Sequence, residues 1–106
     1  MAIVGGYNVY PREVDEVLFQ IAGVREAAAF GVQDAFYGEV IAAVLVVDDA
    51  GPRTADAVVA ACKAGLAPYK VPRHVRFADA LPRTAAGKID KVALKAAFDL
   101  EARPAP

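Results

Sequence analysis

Two apolar stretches, VREAAAFGV (24–32) and VIAAVLVV (40–47), are separated only by a short polar segment that holds the turn DAFYGE (34–39). The second stretch runs for eight residues without a polar side chain, the pattern of a strand buried on both faces. A connection this short cannot form a parallel crossover, so the two strands must pair antiparallel. The chain is therefore constrained to a central antiparallel pair with other elements packed against it.

Those elements are readable as helices from their spacing and caps. From Pro11, Val14, Val17, Leu18 and Ile21 fall at i, i+3, i+4 and i+7, with Glu13, Asp15 and Glu16 in or near the electropositive first turn as a solvated face. Pro11 suits a first helical position and Gly23 a C-terminal cap. After the turn 48–53, Thr54 is an N-cap for a second helix that puts Val58, Val59, Cys62 and Leu66 on one side and ends at Pro68. HVRFA (74–78) alternates as a short strand, and Asp90 caps a third helix with Leu94, Ala97 and Phe98 pointing inward. The expected fold is α+β: a small, mainly antiparallel sheet of about three strands flanked by three helices, with a short N-terminal loop or hairpin. Residues 1–100 form the domain and 101–106 a flexible tail.

Composition narrows the function. An apolar content of 57% excludes disorder for the body of the chain. Twelve basic against thirteen acidic residues leave a net charge of −1, which argues against nucleic acid or an anionic membrane as the main partner. Cys62 is the sole cysteine and His74 the sole histidine, so neither a disulfide framework nor a metal site is expected. Cys62 reads as a core filler and His74 as a strand surface residue. MAIVGG is too short for a signal peptide and no apolar run approaches a membrane span, making a cytoplasmic location the expectation.

Two segments do not look like core packing. In GGYNVYP (5–11), adjacent glycines permit positive φ and close approach of a ligand to the backbone, although turn statistics favour an ordinary turn before a helix. In TAAGK (84–88), a phosphate-binding loop fails, because Pro82 stands where its first glycine belongs and Ile89 replaces the magnesium-holding Ser/Thr. Taken alone, Lys88 is a solvated surface lysine. No nucleophile–base pair or metal cluster is present, so the sequence lacks a self-contained active site.

Four blocks in order, GGYNVYPREVDEVL (5–18), VREAAAFGVQDAFYGEVIAAVLV (24–46), YKVPRHVRF (69–77) and LPRTAAGKIDKVAL (81–94), resemble the C-terminal domain of adenylate-forming acyl-CoA synthetases over nearly the whole chain. The glycine-containing block is closer to fatty-acyl-CoA and related ligases than to peptide-synthetase adenylation domains. The resemblance implies a two-step reaction: a carboxylic acid and ATP give acyl-adenylate and pyrophosphate, then coenzyme A displaces AMP. It implies that Lys88, with Gly87 beside it, is the mobile adenylation lysine. It also implies that Gly5, Gly6, Tyr7 and Asn8 swing in to line the pantetheine tunnel once the domain has rotated about a hinge. The long-chain-fatty-acid type is the best match.

The resemblance also implies a partner, an N-terminal adenylation domain carrying the phosphate loop, the acyl pocket and the magnesium site. Neither a G-T-T-G-like stretch nor the hinge residue occurs in these 106 residues. The chain alone is expected to be inactive, with nothing bound tightly, as an excised fragment or a free-standing remnant. Two other readings stay open: a non-catalytic interaction module of the same fold, and an adenylation subdomain serving a carrier protein. Acylation of Lys88 would abolish the first step by removing its charge.

Overall fold

The computed structural model describes residues 1–102. The elements run β1 (Ala2–Val4), β2 (Tyr7–Val9), α1 (Pro11–Phe19), β3 (Val24–Asp34), β4 (Gly38–Val47), α2 (Ala55–Lys63), a 3-10 turn (Pro68–Lys70), β5 (His74–Phe77) and α3 (Lys91–Ala102). β3 and β4 form the antiparallel pair, in register from Glu26 opposite Val46 to Asp34 opposite Gly38. β5 lies parallel to β4, and β1 touches β4 at Val4–Gly38 and pairs with β2. The sheet thus has five strands rather than about three. The two additional ones are the three-residue arms of the N-terminal hairpin, too short to show an alternation.

The central pair is covered on both faces, as the apolar run requires. Ala27, Ala29, Ile41, Ala43 and Leu45 face α1 and α2 in one core with Val14, Leu18, Val58 and Cys62. Ala28, Phe30, Val32, Val40, Ala42 and Val44 face α3 in a second core with Leu81, Leu94 and Phe98. Each fully buried aliphatic side chain in these layers contributes roughly 1.5–3 kcal/mol. A single sheet carrying two such cores holds its long strands as one rigid body.

Local chemistry sets the helix ends. Thr54 Oγ1 accepts from Ala57 N–H at 3.1 Å, and Asp90 Oδ1 accepts from Ala93 N–H at 3.0 Å, so both expected caps are present. Three helix details differ from expectation. α1 stops at Phe19 with Gln20 as its cap, leaving Ile21 outside and Gly23 in a left-handed turn whose carbonyl accepts from Asp48 N–H. α2 stops at Lys63, and the N–H groups of Gly65 and Leu66 both close on Cys62 O. Ala97 is exposed, because Leu94 and Phe98, four residues apart, already define the stripe of α3 that meets the sheet.

The acidic residues of α1 are not a uniformly solvated face. Asp15 accepts from Ala29 N–H at 2.6 Å and from Lys91 Nζ at 2.6 Å, and Glu13 pairs with Lys70 at 2.7 Å. β3 is an edge strand, and the Asp15 carboxylate satisfies one of its outward N–H groups while joining α1 to the start of α3. α3 runs through Ala102; the rest of the expected tail lies outside the described residues.

Candidate functional site

The Lys88 segment is a small hairpin between the buried Leu81 and the cap of α3. Thr84 N–H donates to Lys88 O at 2.7 Å and Gly87 N–H to Thr84 O at 2.9 Å, while Arg83 and Ile89 form an antiparallel bridge. These bonds describe a tight turn over Ala85–Ala86 followed by a left-handed residue, and Gly87 at φ 83° supplies it. A Cβ at Gly87 would meet nothing within 4 Å, so conformation rather than space demands glycine there. Lys88 is exposed, and its ammonium has no hydrogen-bond or ion-pair partner among the described residues. Asp90 N–H donates to Pro82 O at 2.8 Å, closing the base of the hairpin directly on the helix cap.

Gly5 and Gly6 form the two-residue turn between β1 and β2, with φ of 55° and 89°. Both left-handed positions belong to the mirror-image turn that matches strand twist. Tyr7 and Asn8 follow on β2, both exposed. Gly5 N–H donates to Tyr37 O at 3.0 Å, tying this hairpin to the β3–β4 turn. There the Asp34 carboxylate accepts from Tyr37 N–H at 2.8 Å and Phe36 N–H at 3.0 Å. Those two bonds, the Tyr37 one foremost, hold the Asp34 carboxyl below the usual carboxylate range.

Beside the glycine turn lies a groove of about 340 Å³ lined by Val4, Gly5, Tyr7, Tyr37, Tyr69 and Arg73, among others. Tyr7 stacks on Tyr69 with ring centres 4.4 Å apart, and the Arg73 guanidinium sits 4.3 Å from the centre of the Tyr37 ring. Tyr37, Tyr69 and Arg73 escaped the sequence reading, since the groove is assembled from three segments about 30 residues apart; their only signal was membership in the recurring blocks.

The two candidate loops are not brought together. The glycine turn is bound to Tyr37, just beyond the end of β3, whereas Arg83 of the lysine hairpin is paired with Glu26 near its start. From Glu26 to Asp34 the extended strand covers about 26 Å at ~3.3 Å per residue. The two loops thus lie towards opposite ends of the β3–β4 ribbon.

Neither loop carries a metal set: no cluster of three or more His, Cys, Asp or Glu side chains suited to a metal ion occurs among the described residues. Cys62 is buried and its thiol is pushed up by that burial, while His74 lies exposed against Phe98. No helix among the described residues is long and apolar enough to cross a membrane.

The sequence profile of the AMP-binding enzyme C-terminal domain matches residues 13–88. A methyl-dioxo-octahydroindenyl-propanoyl:CoA ligase of Rhodococcus jostii is 48% identical over 95 residues, which cover 90% of this chain and 18% of that protein. A long-chain-fatty-acid–CoA ligase of Mycobacterium tuberculosis is 44% identical over 90% of the chain and 19% of its own length. The solved structure of a Mycobacterium tuberculosis fatty acyl CoA synthetase superposes with a TM-score of 0.85 at 39% identity, covering 93% of this chain and 20% of that one. The chain thus spans about a fifth of the length of the relatives it matches.

Proposed function

The chain belongs to the AMP-binding enzyme C-terminal domain family, and from that premise we propose that it is the mobile domain of an ATP-dependent acyl-CoA synthetase, working with an N-terminal adenylation domain. In the first half-reaction a carboxylate oxygen attacks the α-phosphorus of ATP, the bond to the β-phosphate bridge breaks, and pyrophosphate leaves. In the second, the thiol sulfur of coenzyme A attacks the acyl carbon, the bond to the AMP oxygen breaks, and AMP and the thiol proton are released. Magnesium belongs to the large domain. Of the acids handled by the relatives named above, we take the long-chain fatty type, after the Mycobacterium tuberculosis ligase rather than the indenyl-propanoyl one, and the use of ATP and coenzyme A suits a cytoplasmic enzyme.

The observation that carries this reading is Lys88, an exposed ammonium without a partner among the described residues, on a hairpin fixed at Gly87 and at the α3 cap. Bringing a carboxylate to a triphosphate sets two anions against each other, and a compact cation on a flexible stem can bridge oxygens of both. Two charge-assisted hydrogen bonds at roughly 1.5–3 kcal/mol each supply ~4 kcal/mol, or about a thousandfold in rate. The Gly5–Gly6 turn and the groove beside it supply a backbone free of side chains, aromatic walls and the Arg73 cation for the thiol-bearing arm in the second step. The separation of the two loops along β3 supports rotation of the domain between steps.

The test fuses this chain behind the large domain of the similar Mycobacterium tuberculosis ligase and assays each half-reaction with palmitate. Lys88→Ala is expected to slow pyrophosphate release about a thousandfold and to change thioester formation from preformed acyl-adenylate little. Equal loss in both half-reactions would falsify the assignment. Offering a carrier-borne pantetheine in place of coenzyme A identifies the natural thiol.

A further inference from the structure

We propose that Arg83 is the positioning residue for Lys88, holding the lysine hairpin in register on β3 through one guanidinium that binds two partners. Its Nη1 donates to the carbonyl of Gly87, the residue immediately before Lys88, at 3.0 Å. Its other terminal nitrogen pairs with the Glu26 carboxylate on β3. Its backbone bridges Ile89, the residue immediately after Lys88. Lys88 is thereby flanked on both sides by atoms that Arg83 fixes, and the hairpin is fastened to the part of the sheet that moves as a unit with the two cores.

Only an arginine performs both tasks. Its planar fork presents separate N–H groups to two acceptors in fixed geometry, whereas a lysine is a single point charge. Glu26 is the less exposed member of the pair, 25% against 47% for Arg83, so the sheet supplies the fixed end and the hairpin the held one. The inference rests on Lys88 being the adenylation lysine. Misplacing a reacting group by about 1 Å costs on the order of a hundredfold, which sets the scale of the effect.

The experiment compares Arg83→Met, Arg83→Lys, Glu26→Met and Lys88→Ala in the same fused ligase, with melting curves to register folding. Arg83→Met is expected to lower the adenylation kcat about ten- to a hundredfold with KM for ATP nearly unchanged and with thioester formation from preformed acyl-adenylate within about twofold. Arg83→Lys and Glu26→Met, each keeping one of the two contacts, are expected to fall between wild type and Arg83→Met. In the 106-residue chain alone, backbone order parameters at Gly87 and Lys88 should drop in Arg83→Met and nowhere in β4. If Lys88→Ala cripples adenylation while Arg83→Met leaves it intact, or slows both half-reactions alike, the positioning role is wrong although the lysine assignment stands. If Lys88→Ala itself has no effect, both are wrong. Should Arg83→Met fail to fold, Glu26→Met, of similar size and without an acceptor, decides by the same split.

Discussion

Asp15→Ala isolates the joint between three elements. The Asp15 carboxylate receives the Ala29 N–H of β3 and the Lys91 ammonium of α3, each at 2.6 Å, and only 16% of its side chain is exposed. A hydrogen bond to a charged acceptor contributes roughly 1.5–3 kcal/mol, and its loss leaves an edge N–H without its partner. The Lys91 side chain is 36% exposed, so screening limits the ion pair to under about 1 kcal/mol. Alanine's higher helix propensity offsets ~0.5 kcal/mol. The net expectation is a loss of about 2–3 kcal/mol, which for a domain of this size lowers the melting temperature by about 10 °C. Asp15→Asn keeps an acceptor for Ala29 and should lose about 1 kcal/mol. Urea and thermal unfolding of the four proteins wild type, Asp15→Ala, Lys91→Met and the double variant give the coupling directly, and the double variant should lose less than the sum of the singles. A loss below about 0.5 kcal/mol for Asp15→Ala, or equal losses for Asp15→Ala and Asp15→Asn, would refute the joint, since it assigns most of the effect to the Ala29 bond.

Other substitutions probe the turns and caps. Gly23→Ala should be severe, by about 3 kcal/mol or more, because φ is 83° and a Cβ would come within 2.2 Å of the Gly51 backbone nitrogen; near-native unfolding would show the turn to be adaptable. Gly6→Ala meets no atom within 4 Å, so only the left-handed backbone costs, about 1 kcal/mol, while thioester formation in the fused ligase should slow more than adenylation does. Thr54→Ala should lose about 1 kcal/mol in denaturant titration by freeing the Ala57 N–H. Because the Asp34 carboxyl is held below its ordinary value, its contribution is present above that ordinary value and disappears as pH falls through the lowered one. Amide exchange at Phe36 and Tyr37 should therefore accelerate in that acid window, and Asp34→Asn should remove the dependence.

Much of the frame was legible because it is local. The eight apolar residues of β4 required cover on both faces, Thr54 and Asp90 announced their helices, and i, i+4 pairs such as Leu94 and Phe98 set which stripe is buried. What was hidden depends on partners far along the chain. Asp15 looks like any acidic residue in a first turn until Ala29 and Lys91, 14 and 76 residues away, are folded against it. Arg83 has Glu26 57 residues behind it, and nothing in PRTAAGK names that partner. β1 and β2 are too short for a period-2 signal, and the parallel seating of β5 on β4 follows from the path of α2 rather than from HVRF itself. The candidate lysine emerged from resemblance, because a single exposed Lys88 carries no local mark of chemistry. The structure adds the reason for its neighbour Gly87, which is backbone handedness.

The long β3–β4 ribbon, tied at one end to Arg83 and at the other to the Gly5–Gly6 turn, has a consequence for design. Among the described residues no side-chain hydrogen bond or ion pair joins its two extremities, so each can be varied while the opposite one keeps its shape. On the proposed assignment, libraries at Tyr7 and Tyr37 would broaden the choice of nucleophile without retuning acid activation, as interchangeable bits fit one drill.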